Sequence, residues 1–191
     1  DFGFPYKTHK LFYEEYLKPR AGACLLDPLE MGLLPPLEGL YRDDMAMPGL
    51  WSPEGRFRRH PLYRKLEKVD GVLLSHAHLD HSGHIAFLKE DIPVFSTAAT
   101  AFIAKAIQDS GKTDFDQQVC YFSPRVQSCP AGLKQEASLS ENSEKKQRRF
   151  LIADMKAESL SLDARKFWSS TGGFWEKSSR QKELLSMPLA S

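Results

Sequence analysis

An α/β fold is predicted by two observations. Three apolar runs of strand length, Val69–Leu74, Ile92–Phe95 and Phe150–Ala153, are spread along the chain. Helical patterns follow them, so that strand, loop, helix, strand and helix alternate.

The elements justify themselves in order. Lys7–Lys18 carries Leu11, Phe12, Tyr16 and Leu17 at helical spacing and stops before Pro19, which cannot continue a helix. Proline and glycine, including Pro35-Pro36 and Pro48-Gly49, break up the next stretch, which reads as an insert over about residues 21–65. A loop of that length in a compact domain is either functional or wrongly assigned. Val69–Leu74 reads as a buried strand, Gly83–Lys89 as a short helix, Ile92–Phe95 as a strand and Thr97–Asp109 as an alanine-rich helix that Gly111 ends. Residues 126–149 turn to Ser, Glu, Gln and Lys and read as a low-complexity, solvated loop. Order resumes with Phe150–Ala153 as a strand and with Leu160–Trp168, whose Leu160, Ala164, Phe167 and Trp168 form an apolar stripe.

Composition bounds the function without choosing it. The chain has 191 residues, net charge +1, 41% hydrophobic and 27% charged residues, values of an ordinary globular domain. Cys24, Cys120 and Cys129 are odd in number and form no C-x-x-C pair, so neither a disulfide framework nor a thiolate zinc site is suggested. No apolar run is long enough to span a membrane and none has the form of a signal peptide, so a cytoplasmic protein without membrane partners is expected.

The chemistry concentrates in one place. Four of the six histidines lie in His76–His84, three of them with Asp80 as His76-x-His78-x-Asp80-His81, directly after a predicted strand. Imidazole nitrogen and carboxylate oxygen are the donors that zinc and similar divalent metals accept. In extended backbone His76 and His78 point the same way, so they can grip one ion while the turn at Leu79 brings Asp80 and His81 to a neighbouring position. No Ser-His-Asp or reactive-cysteine arrangement competes with this reading.

This motif, preceded by Val72-Leu73-Leu74 and followed by Ser82-Gly83, resembles the signature of the metallo-β-lactamase fold hydrolases. The resemblance implies the N-terminal part of an αββα sandwich and two divalent metal ions, with zinc the expected metal. His76 and His78 would hold one, Asp80 and His81 the other, with Asp80 also a catalytic candidate and a bridging hydroxide as nucleophile. Asp1-Phe2-Gly3 is similar to the aspartate-x-glycine that ends an early strand in this fold, where the aspartate supports the metal loop. The surroundings resemble the β-CASP branch related to ribonuclease J and to messenger-RNA 3′-end processing factors. There, Tyr6–Tyr41 looks like an insert before the histidine loop, and Ser82–Leu88 with Asp91–Phe95 like the helix and strand that follow.

Independently of resemblance, Arg56, Arg58, Arg59, Arg64 and Lys65 lie with Phe57 and Tyr63 in a stretch without acids, a pattern that could hold phosphates and stack bases. The equally available reading is a solvated basic loop. Lys145, Lys146, Arg148 and Arg149 are expected to be solvated. His84 could reach a substrate phosphate but is not required as a ligand, and His9 and His60 read as surface histidines.

A complete family member needs a later histidine, a bridging aspartate and a final histidine, whereas this chain has no histidine after His84. None of Asp109, Asp114, Asp116, Asp154 and Asp163 sits in a stretch similar to the bridging-aspartate motif. The chain is therefore expected to be a fragment, residues 1–191 forming an incomplete domain that binds metal weakly by itself, with a degenerate protein as the alternative. The expected function is metal-dependent phosphodiester hydrolysis of RNA, in preference to DNA, as an exo- or endonuclease. The alternatives are hydrolysis of a small thioester, lactone or phosphoester, and a non-catalytic binding module.

Overall fold

The computed structural model describes residues 1–5, 7, 10, 20, 22–110, 114–129, 132–135, 145–155 and 159–170. The helix expected over 7–18 lies almost wholly outside the described residues, as does His9. In order the chain forms α1 (Leu26–Glu30), β1 (Leu37–Glu38), β2 (Arg64–Lys65), β3 (Val72–Leu73), α2 (Leu79–Ser82), β4 (Val94–Ser96), α3 (Ala98–Asp109), β5 (Tyr121–Phe122), β6 (Arg125–Cys129), β7 (Gly132–Gln135), β8 (Lys146–Gln147), β9 (Phe150–Ile152) and α4 (Leu162–Ser169). Tight 3₁₀ turns occupy Asp43–Met45, Gly83–Phe87 and Phe115–Gln117.

The three apolar runs become a parallel sheet in the order β3-β4-β9. Val72 pairs with Val94 and Val94 with Phe150, so these three share one face. Val94 and Phe150 are buried there, and Trp168 of α4 meets Phe150 edge-on at 5.2 Å. Because the strands run parallel, their C-terminal ends share one edge of the sheet. The histidine loop leaves β3 at that edge, α3 leaves β4, and Asp154 follows β9. Two bonds tie these exits together: Asp154 Oδ1 accepts from the Ala98 amide (2.8 Å), and Thr100 Oγ1 donates to the Ser75 carbonyl (3.3 Å). Thr97 caps α3 by accepting from the Thr100 amide at 3.2 Å.

Among the described residues the other strands make two-stranded pieces, β1-β2 parallel, β5-β8 and β6-β7 antiparallel, which do not by themselves amount to the second sheet of the expected partial sandwich. The family expectation of a mixed helix and strand domain holds at that coarser level.

Two segments differ from their expected character. The proline- and glycine-rich stretch is irregular, yet Leu25, Leu34, Leu40, Tyr41, Met45, Leu50 and Phe57 are all buried in the main core. It is pinned where the histidine loop ends: the Arg42 amide donates to Phe87 O (2.9 Å) and the Lys89 amide to Leu40 O (3.0 Å). Within 126–149, β6 and β7 pair as a hairpin and β8 pairs with β5, where composition predicts a solvated loop. Arg148 is a further correction, being buried with its guanidinium donating to the carbonyls of Leu88, Lys89 and Val119. Burial pushes that guanidinium down to about 9.

α3 turns apolar side chains to the solvent and buries polar Thr100, Lys105 and Gln108 beside Ala98, Ala101 and Ala104. Ile103 and Ile107 are exposed, while Lys105, at 1% exposure, pairs with Asp109 at 2.6 Å and lies over the Phe167 ring of α4. Phe102 stacks on Phe167, so α3 and α4 pack together beside β9.

Candidate metal centre

The histidine loop is held from below by the first residues of the chain. Phe2 and Phe4 amides donate to the carbonyls of His81 (2.8 Å) and Leu79 (3.0 Å), and the His84 amide donates to Phe2 O (3.1 Å). Gly3 lies against Asp80 and His81 so closely that a Cβ there would meet their backbone atoms at less than 3.0 Å. Only glycine allows that approach.

This contact sets Asp1 under the loop. Its Oδ1 accepts from the Ser75 amide (2.7 Å), its Oδ2 from the Ser75 hydroxyl (2.8 Å), and His81 Nδ1 lies 2.8 Å from Oδ2. The aspartate of Asp1-x-Gly3 thus supports the loop as its motif implies. His81 Nε2 faces the other way, 3.6 Å from Asp80 Oδ2. Two donors on one tetrahedral zinc, each about 2.0–2.1 Å from it, lie roughly 3.3 Å apart, so this spacing suits a shared ion.

His76 completes the group. Its ring lies 3.9 Å from that of His81, and donor atoms of His76, Asp80 and His81 all lie within 4.8 Å of one another. His78 is exposed, its ring 4.8 Å from that of His76, and it stands outside this trio. The motif's division puts His76 with His78, whereas the geometry gathers His76 with Asp80 and His81. Nitrogen and carboxylate donors at this separation fit a divalent cation, with partly exposed side chains able to close the remaining distance.

The remaining candidates separate. His84 is buried, between the rings of Phe4 (4.8 Å) and Phe2 (5.6 Å), and cannot meet a substrate phosphate. His60 is exposed and its Nδ1 accepts from the Leu62 amide (3.1 Å). In the basic stretch, Arg56 pairs with Glu30, and Arg58 with Glu38, which also accepts from Tyr63. Phe57 is buried beside Trp51, so it offers no face to a base. Arg59, Arg64 and Lys65 stay exposed, with no ion pair among the described residues. Sequence reasoning missed Ser75, whose only local signal is its position between the strand and His76.

A loop of histidine and aspartate donors at the C-terminal edge of a parallel sheet, with a second carboxylate beneath it, is the arrangement of a candidate metal site. A family model described as the beta-lactamase superfamily domain matches residues 46–155, more than half of the chain, and the protein belongs to that superfamily. The description names no branch within it. No curated protein and no solved structure matches the chain.

Proposed function

We propose that the chain carries the metal loop of a hydrolase that cleaves phosphodiester bonds, with single-stranded RNA as substrate. The observation carrying this reading is the convergence of His76, Asp80 and His81 above Asp1. A bound divalent cation supplies Lewis acidity, stabilising charge on a phosphoryl oxygen and activating water at neutral pH. The protein's own groups would hold the ion and balance its charge: His76 and His81 as nitrogen donors, and Asp80 as an oxygen donor and the candidate to take up a proton. Exposed Arg59, Arg64 and Lys65 supply charge for a phosphate backbone.

A second reading, hydrolysis of a small thioester, lactone or phosphoester, is favoured by the ion pairs that Glu30 and Glu38 make with Arg56 and Arg58. Incubation with Zn²⁺ or Mn²⁺ and labelled single-stranded RNA, bis(p-nitrophenyl) phosphate and a thioester panel separates the two. Metal-dependent RNA cleavage that Asp80→Ala abolishes supports the proposal. Turnover of the thioester alone, or of nothing with metal bound, contradicts it for this chain.

A further inference from the structure

Ser75 lies between the Asp1 carboxylate and the imidazole of His76. Its Oγ is 2.8 Å from Asp1 Oδ2 and 3.0 Å from His76 Nδ1, and a hydroxyl has one proton to give. Bonds to an ionised acceptor are the stronger ones, so the proton goes to Asp1. The Ser75 oxygen is then left as an acceptor, and His76 must present Nδ1–H to it. Asp1 Oδ2 accepts from His81 Nδ1 at 2.8 Å in the same way.

We infer that Ser75 is a positioning residue that relays the Asp1 carboxylate to His76, so that one carboxylate sets the tautomer of two ligands. His81 is held directly and His76 through the hydroxyl. Both rings then carry the proton on Nδ1 and present bare Nε2 to a cation. This rests on the loop being a metal site, because tautomer control has consequence only for a ligand. A purely structural role would use the Ser75 amide, which donates to Asp1 Oδ1 at 2.7 Å and survives removal of the hydroxyl.

The full chain tests the relay as wild type, Ser75→Ala, Ser75→Thr and His76→Ala. Long-range ¹H–¹⁵N correlation of the imidazole rings without metal, at a pH where an ordinary imidazole is neutral, reads the tautomers. Zinc titration calorimetry reads affinity. Both His76 and His81 are expected as Nδ1–H in the wild type. Ser75→Ala shifts His76 toward the other tautomer, leaves His81 unchanged and lowers zinc affinity about 10–100-fold, while Ser75→Thr restores both. A wild-type His76 protonated on Nε2, or an unchanged His76 tautomer in Ser75→Ala, overturns the relay. Zinc binding that is absent from the wild type, or unchanged in His76→Ala, overturns the metal reading instead, and the spectra still decide the relay.

Discussion

Replacing Gly3 by alanine is the smallest change that separates the support from the histidine loop. The added methyl meets the Asp80 carbonyl and the His81 amide at less than 3.0 Å, and these are backbone atoms that cannot turn aside. To reach ordinary contact the N-terminal segment must back away, stretching the Phe2-to-His81 (2.8 Å) and Phe4-to-Leu79 (3.0 Å) hydrogen bonds. Two such bonds at about 1 kcal/mol each, with overpacking of about 1–3 kcal/mol, give an expected loss of roughly 3–5 kcal/mol. Asp1 moves with the segment, so its bonds to Ser75 and His81 are lost as well. Urea unfolding at neutral pH with zinc titration calorimetry reads both effects: reduced stability, and weaker zinc binding in whatever protein remains folded. Unchanged stability and unchanged zinc affinity in Gly3→Ala would refute the claim that this close approach builds the site.

Three other perturbations test the frame. Burial pushes the Asp116 carboxyl up from 3.8 to about 6, equivalent to about 3 kcal/mol at roughly 1.36 kcal/mol per pH unit. Between those values the folded state holds the proton more tightly, so stability falls as pH rises to about 6 and is level above it. Asp116→Asn should therefore raise the melting temperature at pH 8 and change it little near pH 4, and equal shifts at both would contradict this account. Lys105→Ala leaves buried Asp109 without its cation and is expected to cost about 3–5 kcal/mol by chemical denaturation. Gly39 has φ +94°, and a Cβ there would meet the Leu66 carbonyl oxygen, so Gly39→Ala should cost at least about 2 kcal/mol and show as an earlier urea midpoint.

Much of the sheet was legible because its strands are short, apolar and followed by helices: Val72–Leu73, Val94–Ser96 and Phe150–Ile152 all fall within or beside the expected runs. Thr97 and the alanine-rich pattern placed α3 almost to the residue. The buried leucines of the insert were not legible, because irregular backbone carries no period for side chains to follow. Arg148 was hidden because its burial depends on carbonyls from Leu88 and Val119, brought to it by the fold. In the candidate site, spacing singled out His76, His78, Asp80 and His81 as donors. Which of them share a donor cluster was not legible, since that depends on the turn at Leu79 and on imidazole orientation. Ser75 was invisible because its partner, Asp1, is 74 positions away in the chain.

The central claim is that His76, Asp80 and His81 together bind a divalent cation. Cobalt(II) titration of the full chain, followed by visible absorption, tests it most directly. The account predicts saturable d–d bands in the wild type, competed away by zinc and weakened at least about tenfold in affinity by alanine at any one of the three. Bands that are absent from the wild type, or that persist unchanged in His76→Ala, Asp80→Ala and His81→Ala, would contradict it.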